Sequence, residues 1–158
     1  MDKEKQKDYV RRVSQANKTE LVAITFEIML DGIDEAKEYL DEGNTDEFKL
    51  KLKTTGRFLS ELMHALDFGA SLSLQLLRLY EYVQRILISC EMSGCDRGLA
   101  SARKVLAGLG AAFSEISSQD TSGCVMENAQ PIYAGLTYGK GVLNEADMAA
   151  GTNRGFLA

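Results

Sequence analysis

Proline occurs once in 158 residues, at Pro131. Helices tolerate no residue less well, so its scarcity leaves nearly the whole chain free to be helical. Histidine also occurs once, at His64. A ferritin-like carboxylate site takes Glu-x-x-His from two helices, which one histidine cannot supply, and nothing around His64 has metal-ligand spacing. It reads as a structural or surface residue. The cysteines, Cys90, Cys95 and Cys124, are odd in number and form no Cys-x-x-Cys pair, so free thiols in a reducing compartment are the simplest reading. A nucleophilic thiol wants a partner base, and one histidine remote in sequence is a thin one. No apolar run approaches the ~20 residues that span a bilayer, and the N-terminus has no signal-peptide hydrophobic stretch. No membrane insertion is expected, and the expected location is the cytoplasm. Excess positive charge is missing too. A net charge of -5 and a pI near 5.0 leave no basic patch for phosphates, which argues against a nucleic-acid partner. The cluster Lys3, Lys5, Lys7, Arg11, Arg12 is interleaved with Asp2, Glu4 and Asp8 and reads as a solvated face.

Two further patterns fall short of chemistry. Gly135-Leu-Thr-Tyr-Gly139-Lys140-Gly141 has the look of a phosphate loop. A P-loop, however, needs four residues between its glycines and Ser or Thr after the lysine, so that amides and hydroxyl meet phosphate and magnesium; here three intervene and Gly141 follows. The acidic pairs Glu61 with Asp67 and Glu81 with Glu91 sit among basic neighbours at helical spacing, as on a solvated helix face rather than in an acid–base pair. No enzymatic activity, cofactor or metal is expected.

What the chain does have is helical periodicity. Residues Met1 to Ala16 are polar apart from Tyr9, Val10 and Val13, enough for a short amphipathic turn too weak to stand alone. Asn17-Lys18-Thr19-Glu20 has the capping-box form and predicts a first long helix to about Glu42, stopped by Gly43-Asn44. Asn44-Thr45-Asp46-Glu47 repeats the pattern and opens a second, through Phe48, Leu52, Phe58, Leu59, Leu62, Met63 and Leu66 to about Phe68. Gly69-Ala70-Ser71 closes it and caps a third, which ends near Cys90 to Ser93, where Gly94 intervenes. Asp96 is a plausible cap for a fourth, containing Leu99, Ala102, Val105, Leu106, Leu109, Phe113 and Ile116. Its glycines each cost about 0.8–1.0 kcal/mol against alanine, so this helix is locally weak or closely approached by another backbone. Four such helices with short connections imply an all-α fold, an antiparallel up-down four-helix bundle. The division is a cap segment (1–16), the bundle (17–118) and a partly ordered C-terminal extension (119–158), with a turn or extended segment around Tyr133 to Leu143.

The third helix holds more apolar residues than one face can. Leu72, Leu76, Leu79, Tyr80, Val83, Ile86 and Leu87 form a broad core stripe. Leu74, Leu77 and Ile88 lie off it, on the opposite side. Such a helix is central to its domain or touches something the domain does not supply. By composition alone a partner on this face, or cover by self-association as a homodimer or by the tail, are even readings.

The order of these pieces resembles the flagellin export chaperones called FliS: Tyr9 ahead of Leu21, the aromatic–acidic pair Phe26-Glu27, then Phe58-Leu59-Ser60-Glu61-Leu62 with Leu66-Asp67, and Leu76, Leu79-Tyr80, Tyr82 and Leu87. The resemblance runs from Tyr9 to Ile116. Lys18-Thr19 stands where the family has Ser-Pro, and Ile28 follows Glu27 where it has glycine. The resemblance implies a non-enzymatic bundle that binds the disordered C-terminal segment of flagellin, prevents its polymerisation in the cytoplasm and delivers it to a flagellar export gate component of the type III system. A disordered segment that folds on binding lays helices into apolar grooves through i, i+3, i+4 and i+7 anchors, and its ordering entropy demands a long surface. Leu59, Met63, Leu74, Leu77, Ile88, Leu99, Val105 and Leu109 are therefore expected to bind the client. Tyr9 and Val13, as the family suggests, would be an N-terminal cap over the empty groove. Ile132, Tyr133, Leu136 and Tyr138 of the tail are a second candidate to fill it. The alternative to a chaperone is a generic four-helix adaptor or dimerisation module; a bundle enzyme or metal carrier is the weakest reading.

Overall fold

Asn17 and Asn44 start helices as their capping patterns predict: Asn17 Oδ1 accepts from the Glu20 amide at 2.8 Å and Asn44 Oδ1 from the Glu47 amide at 3.3 Å. The computed structural model describes residues 3–126 and has, among these, five helices and no strand. They are α1 (Lys3–Gln15), α2 (Lys18–Asp41), α3 (Thr45–His64), α4 (Ser73–Ser93) and α5 (Leu99–Gln119). None is long and apolar enough to cross a membrane. The expectations for the chain from Glu127 onward, including the segment around Tyr133 to Leu143, lie outside the described residues.

α2 packs on both α3 and α5, α4 closes against α3 and α5, and α1 lies on α2. Contacts run in opposite order along neighbours. Glu35 meets Lys51 while Gly32 faces Thr55, and Asp34 meets Arg103 while Phe26 stacks on Phe113. The shared core takes Phe26, Met29 and Ile33 from α2, Phe48, Leu52 and Leu59 from α3, Tyr80, Val83 and Leu87 from α4, and Leu99 and Leu106 from α5. The Phe26 ring lies 6.3 Å from Tyr80 and 5.6 Å from Phe113, centroid to centroid. Burial pushes the Tyr80 hydroxyl up to about 12.

Two boundaries and one core stripe differ from the sequence expectation. The N-terminal turn is a full helix of 13 residues. Tertiary contact supplies what propensity does not, since Tyr9 and Ala16 are buried against Ile24. α3 stops at His64 rather than near Phe68, because Asp67 Oδ1 accepts from the Gly69 amide at 2.8 Å and holds a turn that competes with the helix. The core stripe of α4 is narrower than its run of leucines suggests. Ser73, Tyr80, Val83, Leu87 and Cys90 are buried, spaced alternately near three and four residues, whereas Leu72 is 62% and Leu79 39% exposed. Two expected caps are not formed: α4 starts after Leu72 with no side-chain cap from Ser71, and the N-cap of α5 is Gly98 at φ +108°, with Asp96 two residues ahead, where its Oδ1 accepts from the amides of Gly98 and Leu99 at 2.9 and 2.8 Å and holds the turn into the helix. Gly94 ends α4 at φ +66°, where a Cβ would lie 2.9 Å from the Thr45 side chain, so both backbone and neighbour call for glycine.

Candidate functional site

α1 touches α2 but stands off α3, and the gap is a largely apolar cavity of about 490 Å³. Tyr9, Val10 and Val13 of α1 form its roof, Ile28 and Gly32 of α2 its floor, and Phe58 and Thr55 of α3 its far wall. Gly32 is what lets α3 come close: a Cβ there would collide with Thr55 Oγ1, itself bonded to the Lys51 carbonyl at 3.0 Å.

Charge pins the roof down. The Tyr9 hydroxyl donates to Asp31 Oδ2 at 2.6 Å, and Lys5 Nζ reaches the same oxygen at 2.7 Å. Arg12 grips Glu27 with two hydrogen bonds of 2.6 and 2.9 Å and lies 5.9 Å from the Tyr9 ring centroid. Burial first, then the Asp31 acceptor, raise the Tyr9 hydroxyl well above the usual tyrosine range. The Asp31 bond likewise raises the Lys5 ammonium. At the floor's edge Lys51 Nζ meets Glu35 at 2.5 Å. Burial pushes the Glu35 carboxyl up, but its cationic neighbours outweigh that and it stays below the usual range.

A second, smaller groove of about 210 Å³ runs between α3 and α4, lined by Gly56, Arg57, Ser60, Gln84, Ile88 and Glu91 among others. Gln84 lies over Gly56, its Oε1 buried with no hydrogen-bond partner among the described residues. α2 and α3 each hold one internal glycine, Gly32 and Gly56, and each glycine lines one groove. That was the available signal, since a lone glycine inside a helical pattern marks close packing; the apolar stripes alone did not single out Ile28, Phe58 or Gly32.

The residues predicted from sequence fall into three places. Leu74 and Ile88 are 60% and 44% exposed on α4, and Leu77 is half-buried beside them. Met63, Val105 and Leu109 are half-buried against the core. Leu59 and Leu99 are fully buried and present no surface to a partner. This corrects their assignment: both lie on the inward stripe of their helices. Tyr9 and Val13 do roof a groove, but it is built from α2 and α3 and contains no α4 residue. The single groove expected from sequence is therefore two apolar surfaces, one under α1 and one on α4.

Among the described residues no three His, Cys, Asp or Glu side chains are placed to hold a metal ion. His64 is exposed and its Nδ1 lies 2.7 Å from its own helix's Ser60 carbonyl. Cys90 is buried, which raises its thiol, and accepts from the Arg97 amide at 3.2 Å. Compared with known protein families, residues 1–120 match the one described as flagellar protein FliS. Among curated proteins, none matches the chain.

Proposed function

The chain belongs to the FliS family, a family of flagellar chaperones rather than enzymes, and from that premise we propose that it is a flagellin export chaperone. In this reading the four longer helices act as an antiparallel up-down bundle capped by α1. The protein holds the disordered C-terminal segment of flagellin in the cytoplasm, keeps it from polymerising, and hands it to a component of the flagellar type III export gate.

The observation that carries the reading is the apolar surface of α4 that stays exposed among the described residues. Leu72, Leu74, Leu79, Tyr82 and Ile88 are all exposed, and large apolar side chains clustered on one helix mark an interaction site. A disordered client folding into amphipathic turns would set its anchors there, flanked by Leu77 and by the half-buried Met63, Val105 and Leu109. Leu59 and Leu99 support this surface from the core. The groove under α1 extends the available surface to the opposite flank, as a client that pays ordering entropy requires. Tyr9 and Val13 would cover it until the client arrives.

Leu74 and Ile88 can be changed without disturbing the core. Leu74→Asp with Ile88→Asp, in protein that keeps its helical circular dichroism, should lower capture of flagellin's C-terminal segment at least tenfold and no longer delay flagellin polymerisation. Unchanged capture would remove α4 from the client site, and failure of the unaltered protein to bind the segment would end the chaperone reading. If α4 is instead a homodimer seam, sedimentation will give twice the chain mass and Leu74→Asp will halve it; that outcome favours the adaptor or dimerisation module.

A further inference from the structure

The segment after α5 is sewn to the α1–α2 corner. Asn17 Nδ2 donates to the Asp120 carbonyl at 3.2 Å, and Thr19 Oγ1 to Asp120 Oδ2 at 2.6 Å. Cys124 Sγ donates to the Gln15 carbonyl at 2.9 Å, and the Val125 amide to the Ala16 carbonyl at 3.0 Å. These bonds steer the chain off α5 and along the C-terminal end of α1, so that Met126, the last described residue, lines the cavity between α1 and α3.

From that point the chain continues to Ala158, past the residues matched by the family. Its next stretch, Asn128 to Gly139, carries no charged side chain and brings Pro131, Ile132, Tyr133, Leu136 and Tyr138 close together in sequence. Extended chain from Met126 to Ile132 reaches about 20 Å. The 13-residue α1 is about 20 Å long, so every point of the cavity is within reach. The cavity is apolar, and its rim leaves Val10 53% exposed. An uncharged apolar segment tethered at the mouth of such a cavity docks at high effective concentration, with only a small loop-closure cost.

We infer that residues 129–139 of this chain dock into the groove between α1 and α3, so that the protein carries its own occupant for the site. This holds whether or not flagellin is the client, because the docking is intramolecular.

The test uses the full chain with a benzophenone amino acid at Gln6 or at Thr54, exposed residues on the two rims of the groove, and at Met92 on α4 as a control. Irradiation at low protein concentration followed by peptide mass spectrometry should place cross-links from both rims within 129–139 of the same molecule, and none from Met92. Ile132→Asp with Leu136→Asp, which leaves all described residues intact, should cut that yield at least fivefold. Rim cross-links only between molecules would assign the groove to a second copy. That result, cross-links confined to the bundle, or a yield indifferent to the double substitution would each overturn the inference.

Discussion

Two glycines separate packing from propensity. Gly32 faces Thr55 so closely that a methyl group cannot enter unless the threonine moves, and Thr55 is buried and bonded to its own helix. Gly108, inside α5, has nothing near the position of its absent Cβ. Alanine gains about 1 kcal/mol of helix propensity at either site, but overpacking costs typically about 1–3 kcal/mol. Gly32→Ala should therefore destabilise the protein by up to about 2 kcal/mol while Gly108→Ala stabilises it by up to about 1 kcal/mol, as read from the shift in urea midpoint at constant slope. Equal effects would mean that Gly32 is not a packing residue. The glycine-rich α5 illustrates what sequence could and could not say. Its glycines suggested a weak helix or a close neighbour, and the close neighbour occurs at Gly110, which lies against Phe26, whose Cβ would be 3.1 Å from an added methyl, whereas Gly108 is open. Only the partner helix decides which, and the partner is not written in the local sequence.

Among the helices, α1 is the one most dependent on its neighbours. Thirteen residues are marginal for an isolated helix, and among the described helices α1 packs on α2 alone, through Tyr9, Val13, Ala16 and the ion pairs of Lys5 and Arg12, with Cys124 bonded to its last residue. Its amides should exchange with solvent faster than those of α2 to α5, as expected of the element that opens first. Its docking also responds to alkali. A tyrosine whose hydroxyl is raised when docked is protonated in both states below its ordinary value of about 10, so docking is constant there. Above about pH 10 the undocked tyrosine ionises first and docking weakens progressively. The raised Lys5 acts in the same direction. Hydrogen exchange from pH 8 to 11, corrected for intrinsic rates, should show protection of α1 falling above about pH 10. Tyr9→Phe should lose part of the protection at all pH and retain only the alkaline loss due to Lys5; an undiminished loss in that variant would contradict the role given to Tyr9. The sequence indicated too little helix here, because only a surface on another element makes α1 stable. The starts of α2 and α3 were legible, because Asn17 and Asn44 write them locally and each accepts from the amide three residues on; α4 and α5 start without a side-chain cap, so their starts were not.

Taken whole, the described residues form a helical core with apolar side chains exposed on α4 and an apolar cavity under α1. The surplus on α4 was visible as leucines beyond one stripe, yet the sequence divided that surplus imperfectly. Leu72 and Leu79 joined the outer face, and Ser73 and Cys90 took their place inside, because packing between α3 and α5 admits a narrower seam than 100° periodicity suggests. Leu59 and Leu99 were misassigned for the related reason that a stripe does not say which of its members faces the centre. The groove under α1 was hidden further, since it exists only where three helices meet. A chaperone for a disordered segment must bury apolar area as that segment orders, so binding should carry a heat-capacity signature. The most direct measurement is calorimetric titration of the full chain with flagellin's C-terminal segment at several temperatures. The account predicts saturable binding with a heat-capacity change of at least a few tenths of a kcal/mol/K, negative in sign. Absence of binding, or a binding enthalpy that does not change with temperature, would contradict it.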